Sequence, residues 1–305
     1  MSGGSDKLIS IKETIASGAG WLESRGVPEA RLNVEHMLAH VLGCRRLDLY
    51  LQFDRPLMEN ELEPLRLMMR RRAAREPLQH ILGTVEFAGR TFHCDARALV
   101  PRPETEELAT RVVAMLPEGF GGRVLDMGCG SGVLGLTVAA AFPACRLVLA
   151  DVSQEALALA QENALALESA EDSESESASG KFDFVRADLF DSLDGRFDVV
   201  LANLPYIPTD EIAGLEEEVR RDPVTALDGG ADGLDIIRRF AQGLPSALEE
   251  GGFAALEVGE GQAEAVAALL EAAGCGGAHV ERDASGRGRF VITAPLGGPS
   301  STAGG

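Results

Sequence analysis

The sequence predicts an α/β fold: a mainly parallel β-sheet with helices on both faces, preceded by a small helical domain. Three observations carry that expectation. Residues 1 to about 82 show helical periodicity with no strand signal. From Arg123 onward, short β-prone runs alternate with helical stretches, the pattern of a parallel sheet covered by helices. A glycine-rich turn, VLDMGCGSGVLGL (Val124–Leu136), joins the first of those strands to the helix after it.

The first helix follows from Leu8, Ile11, Ile15, Ala19 and Leu22, which recur at three- and four-residue steps and form one apolar stripe. A second runs from Pro28, suited to a first turn, to Gly43, a natural C-terminal stop, with Ala30, Val34, Leu38 and Val41 inward. A third follows Asn60 as its cap, with Leu62, Leu65, Met69 and Ala73 inward. Ala88-Gly89 then sits between two β-prone runs, so residues 83–100 are expected to form a β-hairpin linker. The prolines of LVPRPETEEL keep Val100 and Arg102 extended before a helix begins near Glu104.

The main domain is expected over 101–295. Its strands read Arg123–Met127, Arg146–Ala150, Phe182–Ala187, Phe197–Ala202 and Gly252–Val258, with a closing hairpin of His279–Arg282 and Arg289–Thr293. The acidic, serine-rich run Glu168–Ser179 cannot bury apolar surface and is expected to be a loop. The Gly/Ser-rich residues 296–305 are expected to form a disordered tail.

Of the 305 residues, 45% are hydrophobic and 25% charged, which allows a sizeable core. No apolar run approaches the roughly 20 residues that span a bilayer, and the N-terminus is not that of a signal peptide. Five scattered cysteines without a CxxC pair suggest reduced thiols and a cytoplasmic protein. The net charge of -20 argues against a nucleic-acid partner, because phosphate backbones repel it. Nothing requires a membrane, a metal or more than a monomer.

Two signals carry chemistry. In the first, a strand ends at Asp126 and Gly128, Gly130 and Gly132 turn the chain into a helix. Glycines there permit positive φ and close approach of a ligand to backbone, and the helix N-terminus favours an anionic group. About twenty residues on, Asp151 ends the next strand, where a carboxylate can accept hydrogen bonds from ribose hydroxyls. Gly130, Gly132 and Gly135 also satisfy GxGxxG, so these residues leave a dinucleotide site open. The second signal is Asn203-Leu204-Pro205-Tyr206, at the carboxyl end of the strand beginning at Phe197. It resembles the Asn/Asp-Pro-Pro-Tyr motif of methyltransferases acting on planar nitrogens, and favours that class over a dinucleotide enzyme. The Asn203 side-chain oxygen and the Leu204 carbonyl can accept the two hydrogens of an amide as its nitrogen gains charge. Pro205 stiffens the turn, and Tyr206 offers a flat face to a planar amide.

With these motifs go EPLQHILGTVEFAGRTF (Glu76–Phe92), VPRPETEEL (Val100–Leu108) and DPVTALDGGADGLD (Asp222–Asp235). Together they resemble the HemK/PrmC family of peptide-chain release factor glutamine methyltransferases, over nearly the whole chain to Thr293. The resemblance implies a seven-stranded class I S-adenosylmethionine-dependent methyltransferase domain, Rossmann-like, behind a helical substrate-recognition domain. It implies methyl transfer to the glutamine of the Gly-Gly-Gln motif in class I release factors. It further implies that Gly128, Cys129, Gly130, Ser131 and Gly132 hold the methionine part of S-adenosylmethionine. Asp151 would hold the ribose, and Asp188 and Leu189 the adenine. Pro101, Arg102, Pro103 and Glu104 resemble the family's loop beside the active site, with Arg102, Pro103 and Glu104 toward the substrate and Asn203 to Tyr206 on the glutamine amide. Leu204 departs from the usual first proline, Leu189 from the tryptophan of some relatives, and Asp222 from the usual glutamate before proline.

Asn-Leu-Pro-Tyr also occurs in ribosomal RNA dimethyladenosine transferases, so an adenine-N6 methyltransferase is a rival, opposed by the acidic charge. A ribosomal protein glutamine methyltransferase shares the whole architecture. A silent binding module is opposed by intact Asn203 and Asp151. His36 and His40 at i, i+4 lack a third ligand and read as a solvated or capping pair. Arg66, Arg70, Arg71, Arg72 and Arg75 form either a solvated face or a contact surface for the acceptor. Cys129 reads as a packing residue, not a nucleophile.

Overall fold

The computed structural model describes residues 9–171 and 181–297. The chain divides into two compact units, Met1–Gly83 with Glu217–Arg221, and Thr84–Glu216 with Asp222–Gly305. Leu8, residues 172–179 of the acidic run and residues 298–305 of the tail lie outside the described residues.

The first unit contains helices α1 (Ile11–Glu23), α2 (Ala30–Leu42), α3 (Glu59–Ala73) and α4 (Leu78–Leu82), with a 3₁₀ turn at Arg46–Gln52. Ser10 caps α1 by accepting the Glu13 N–H while the Glu13 carboxylate accepts the Ser10 N–H, a reciprocal box. The stripe Ile11, Ile15, Ala19 and Leu22 is buried, as are Val34 and Leu38 of α2. Gly43 ends α2 with φ +62, a conformation that costs glycine little. Asn60 is not the cap of α3. The helix begins at Glu59, and the Glu61 carboxylate accepts the Met58 N–H at 2.8 Å, which satisfies the end without a polar cap residue.

The second unit opens with a hairpin of β1 (Thr84–Phe87) and β2 (Arg90–His93). Ala88 and Gly89 both have positive φ, as a tight two-residue turn demands. This hairpin is part of the unit, contrary to the linker expected from sequence. Phe87 and Phe92 are buried in its core, and Asn163 bonds both the N–H and the carbonyl of His93.

The main sheet comprises β3 (Arg123–Met127), β4 (Arg146–Asp151), β5 (Phe182–Arg186), β6 (Phe197–Asn203), β7 (Leu248–Glu257), β8 (Ala278–Arg282) and β9 (Gly288–Thr293). Their spatial order is β5-β4-β3-β6-β7-β9-β8. The first five run parallel, and β9 is antiparallel to both β7 and β8. Between them lie α5 (Pro103–Met115), α6 (Val133–Ala141), α7 (Gln154–Glu171), α8 (Asp235–Ala247) and α9 (Ala263–Ala272). Helix α7 continues through Glu168–Glu171, so the start of the acidic run is helical.

Neighbouring residues on one strand enter different cores. Val124 packs with Leu108, Leu136 and Leu157 from α5, α6 and α7, whereas Leu125 packs with Phe240 and Val266 from α8 and α9. Burial on both faces makes these strands continuous apolar runs. The sheet reverses direction of growth at β3, with β4 on one side and β6 on the other. Such a switch point opens a crevice beyond the carboxyl ends of the strands.

The arginine cluster on α3 is not a free basic face. Arg66 pairs with Glu59, and Arg71 grips Glu76 at 2.5 and 2.9 Å. Arg72 is 5% exposed; it donates to Asn33 at 2.7 Å and to Glu218 at 2.8 Å. Arg75 pairs with the same Glu218, while Arg70 donates to the Arg66 carbonyl. Burial pushes the Glu218 carboxyl up, but the bonds and charges of Arg72 and Arg75 outweigh it and leave it below the ordinary carboxylate value. The segment Glu217–Arg221 thus belongs to the helical unit through ion pairs, which apolar periodicity cannot announce. Removing Arg72 leaves Glu218 with Arg75 but takes a buried donor from Asn33 and Glu218, at a cost of about 1–3 kcal/mol. Arg72→Ala should lower stability by that order in urea unfolding, whereas Arg66→Ala, at an exposed pair, should change it by less than about 1 kcal/mol.

Candidate functional site

At the carboxyl ends of β3, β4 and β6 lies a cavity lined by Gly128, Cys129, Gly130, Ser131, Asp151, Asp188, Leu189, Asn203, Leu204 and Pro205. Pro101, Thr105, Asp126 and Pro223 also line it. The turn after β3 is shaped by Gly128, Gly130 and Gly132, whose φ values are +67, +55 and +79. A Cβ on Gly128 would meet the Leu204 side chain at 3.0 Å, so the two strand-end motifs pack directly on each other. The turn is stitched to β4: the Gly128 and Cys129 N–H groups donate to the Ala150 carbonyl, and Gly130 donates to Asp151 at 2.9 Å. Asn163, an interior residue of α7, bonds the Ser131 carbonyl at 2.9 Å and so ties the turn to the hairpin.

Asp126 is buried and accepts the Gly135 N–H at 2.8 Å, which anchors the first turn of α6. Burial without a cationic partner among its influences raises its pKa to about 7. Asp151 accepts from both Gly130 and Ser153; burial still holds its pKa above the ordinary value. Burial pushes the Cys129 thiol well up, so it is a packing group and no nucleophile at neutral pH.

Beneath Asn203 lies a polar layer that no sequence motif announced. The Asn203 Nδ2 donates to Glu257 Oε2 at 3.0 Å and to Thr105 Oγ1 at 3.1 Å. Thr105 in turn donates to Glu257 at 2.6 Å, and Arg289 reaches the other Glu257 oxygen at 3.4 Å. The β6–β7 register places Asn203 directly beside Glu257. The segment after the Asn203 motif is braced as well. Ile207 and Gly229 bond into Leu227 and Ile207, Gln262 donates to the Tyr206 carbonyl at 2.9 Å, and a Cβ on Gly233 would collide with that carbonyl. The DGGADGLD run is thus a close-packed support for the strand end, which explains its glycines.

Some expected site residues stand apart. Of the loop expected beside the site, Pro101 lines the cavity but Arg102, Pro103 and Glu104 do not; Thr105, just after it, does. Pro103 is the first residue of α5, and Arg102 donates to the fully buried Asp222 carboxylate at 3.0 Å. Burial lifts the Asp222 pKa to about 6 despite that arginine. Tyr206 is also absent from the lining, and the Arg289 guanidinium lies over one face of its ring, 5.5 Å from the ring centre.

A family model described as the PrmC N-terminal domain matches residues 13–83, and one described as the methyltransferase small domain matches residues 107–250. The release factor glutamine methyltransferase of Geobacter sulfurreducens is 38% identical over 287 residues, 93% of this chain and 96% of that protein. That of Deinococcus radiodurans is 38% identical over 95% of this chain and all of its own length. The chain belongs to the release factor glutamine methyltransferase family. A solved protein-(glutamine-N5) methyltransferase from Alicyclobacillus acidocaldarius is 26% identical over 64% of this chain and 94% of its own, with a TM-score of 0.39.

S-adenosylmethionine is the cofactor of this family, and the cavity residues fit it. Val133 and Leu134, the first residues of α6, line the cavity, so the positive end of that helix meets it and suits a carboxylate. A carboxylate has about four acceptor sites, so Asp151 keeps capacity for a ribose hydroxyl beside the backbone N–H groups of Gly130, Ser153 and Val152. Asp188 and Leu189 form the wall beyond β5, where Leu189 takes φ +53.

The raised Asp126 pKa has a consequence for stability. The folded value, about 7, lies above the unfolded value of 3.8, so the folded state holds the extra proton between them. Stability from this group is complete below about pH 4 and is lost as pH rises through 7. Asp126→Asn removes that titration. Its stability relative to the native chain should therefore rise from pH 5 to about pH 7 and level off above it in urea unfolding; a difference constant across that range would place the Asp126 pKa elsewhere.

Proposed function

We propose that this protein transfers the methyl group of S-adenosylmethionine to the side-chain amide nitrogen of the glutamine in the Gly-Gly-Gln motif of class I release factors, tuning translation termination. The observation that carries the reading is the placement of Asn203 and Leu204 on the same cavity as the glycine turn and Asp151. A nitrogen acceptor and a nucleoside cofactor can thus meet there.

An amide nitrogen is a weak nucleophile because its lone pair is shared with the carbonyl. Bound S-adenosylmethionine supplies a methyl group made electrophilic by its sulfonium. As the nitrogen attacks, it gains positive charge and its N–H bonds become better donors. The Asn203 Oδ1 and the Leu204 carbonyl are suited to accept those two bonds. Acceptors aimed at charge that develops during reaction bind the transition state more than the ground state. Pro205 holds the Leu204 carbonyl in place, and the packing of Leu204 on Gly128 keeps acceptor and cofactor regions adjacent. The nitrogen sheds its extra proton to water after transfer, so no general base is required beforehand.

A protein acceptor is supported by the net charge of -20 and by the pairing of Arg66, Arg71, Arg72 and Arg75 with carboxylates, which removes the nearest candidate for an RNA-binding face. The five cysteines are free thiols, as a reducing cytoplasm would keep them. Among the described residues no helix is long and apolar enough to cross a membrane.

Purified protein, S-adenosylmethionine and a class I release factor should yield a single methyl on the Gly-Gly-Gln glutamine, read by peptide mass spectrometry. Methylated ribosomal RNA with an unmodified release factor would instead make the acceptor a nucleic acid. Asn203→Ala should keep cofactor affinity and lose roughly 10²–10³ in turnover, the effect of removing one transition-state hydrogen-bonding group. Near-normal turnover would remove Asn203 from the mechanism.

A further inference from the structure

We propose that Glu257 is a positioning residue for methyl transfer: together with Thr105 it fixes the Asn203 carboxamide with its oxygen, not its nitrogen, turned to the acceptor amide. The inference rests on the functional reading above and adds a residue that it does not contain.

Glu257 ends β7 in a run of apolar residues, after Ala254, Ala255 and Leu256, all buried. Its side chain is fully buried. A carboxylate there loses its hydration, and an apolar residue would fill the same place without that cost. The bonds it makes give the reason for its presence. Oε2 receives the Thr105 hydroxyl at 2.6 Å and the Asn203 Nδ2 at 3.0 Å, while Arg289 balances the charge from the side of Oε1.

The two ends of an asparagine carboxamide have nearly the same size, so packing cannot choose between them. Hydrogen-bond partners must. An ionised Glu257 offers acceptors alone. Thr105 has given its one proton to Glu257, so towards Asn203 its oxygen is an acceptor too. Facing two acceptors, Asn203 must present its NH₂ group. The reversed carboxamide would set oxygen against carboxylate oxygen at the same distance and leave a buried acceptor unpaired. With Nδ2 held on this pair, Oδ1 points away from it on a residue that lines the cavity. An acceptor amide brings N–H donors to that point. The correct orientation meets them with an acceptor; the reversed one would meet donors with donors.

The test uses the full chain with S-adenosylmethionine and a class I release factor. Glu257→Gln puts an NH₂ group into the layer and frees the choice. It should lower kcat about ten-fold or more, with both KM values and the cofactor Kd within about two-fold. Asn203→Asp sets two carboxylates against each other and should lose about 10²–10³ in kcat. Adding Glu257→Gln to it lets the glutamine donate to the aspartate, and the double variant should recover at least about ten-fold over Asn203→Asp alone. A merely structural role predicts losses that multiply. Wild-type kcat in Glu257→Gln, or a double variant no better than Asn203→Asp, overturns the proposal. Should Glu257→Gln fail to fold, Thr105→Val decides. It keeps the carboxylate and the volume and removes one of the two acceptors, so an unchanged kcat there also overturns it. Native protein runs beside every variant: no methyl on the glutamine from native protein rejects the functional reading, whereas normal native transfer with an indifferent Glu257 rejects this role alone.

Discussion

The parallel sheet brings polar side chains to one edge and then denies them water. Asp126 ends β3 but for one residue, Asp151 ends β4, Asn203 ends β6 and Glu257 ends β7. Because the strands are adjacent and parallel, these ends crowd together at the crevice. Helices on both faces cover them, and burial raises the pKa of all three carboxyl groups. The arrangement survives because each is given hydrogen-bond partners: Gly135 for Asp126, Gly130 and Ser153 for Asp151, and Thr105, Asn203 and Arg289 for Glu257. A half-satisfied layer would be worse than an apolar one.

The same bonds shape the cavity. Asp151 was expected to meet a ribose, yet it also holds the glycine turn through the Gly130 N–H. Asp126 anchors α6, whose N-terminus meets the cavity. Each carboxylate therefore orders backbone at the site before any ligand binds, and little reorganisation is left for the moment of reaction. The glycines of DGGADGLD serve the acceptor side in a similar way: a side chain on Gly233 would push the Tyr206 carbonyl off its support, and side chains on Gly229 and Gly230 would strike Gly233 and Asp235.

Departures of this chain from the family pattern become understandable in that light. Leu204 gives up one proline ring, and its side chain instead packs against the position where a Cβ on Gly128 would stand. Asp222 is one methylene shorter in reach than glutamate, yet it is buried and bonds both the Val100 N–H and Arg102. That bond engages Arg102, and neither residue lines the cavity.

Much of this protein was legible in the sequence because it depends on local rules. Strand and helix alternation, the glycine turn with Asp151, and Asn203-Leu204-Pro205-Tyr206 at a strand end all follow from residues close together in the chain. Positive φ at Gly128, Gly130 and Gly132 is such a local demand. The partners of Asn203 were not legible, since Thr105 lies 98 positions away and Glu257 54 positions away. Register alone decides that they touch. Nor could sequence tell that α3's arginines are mostly paired, or that Glu217–Arg221 joins the helical unit through Glu218. Asn163 left little trace, since Gln161 and Glu162 stand beside it in ALALAQENALAL, and its partners His93 and Ser131 are contributed by other elements. Residue types and local spacing determined which chemistry the chain can perform. Tertiary structure decided how that chemistry is aimed, because hydrogen bonds between distant strands, once buried, leave each polar group few ways to face.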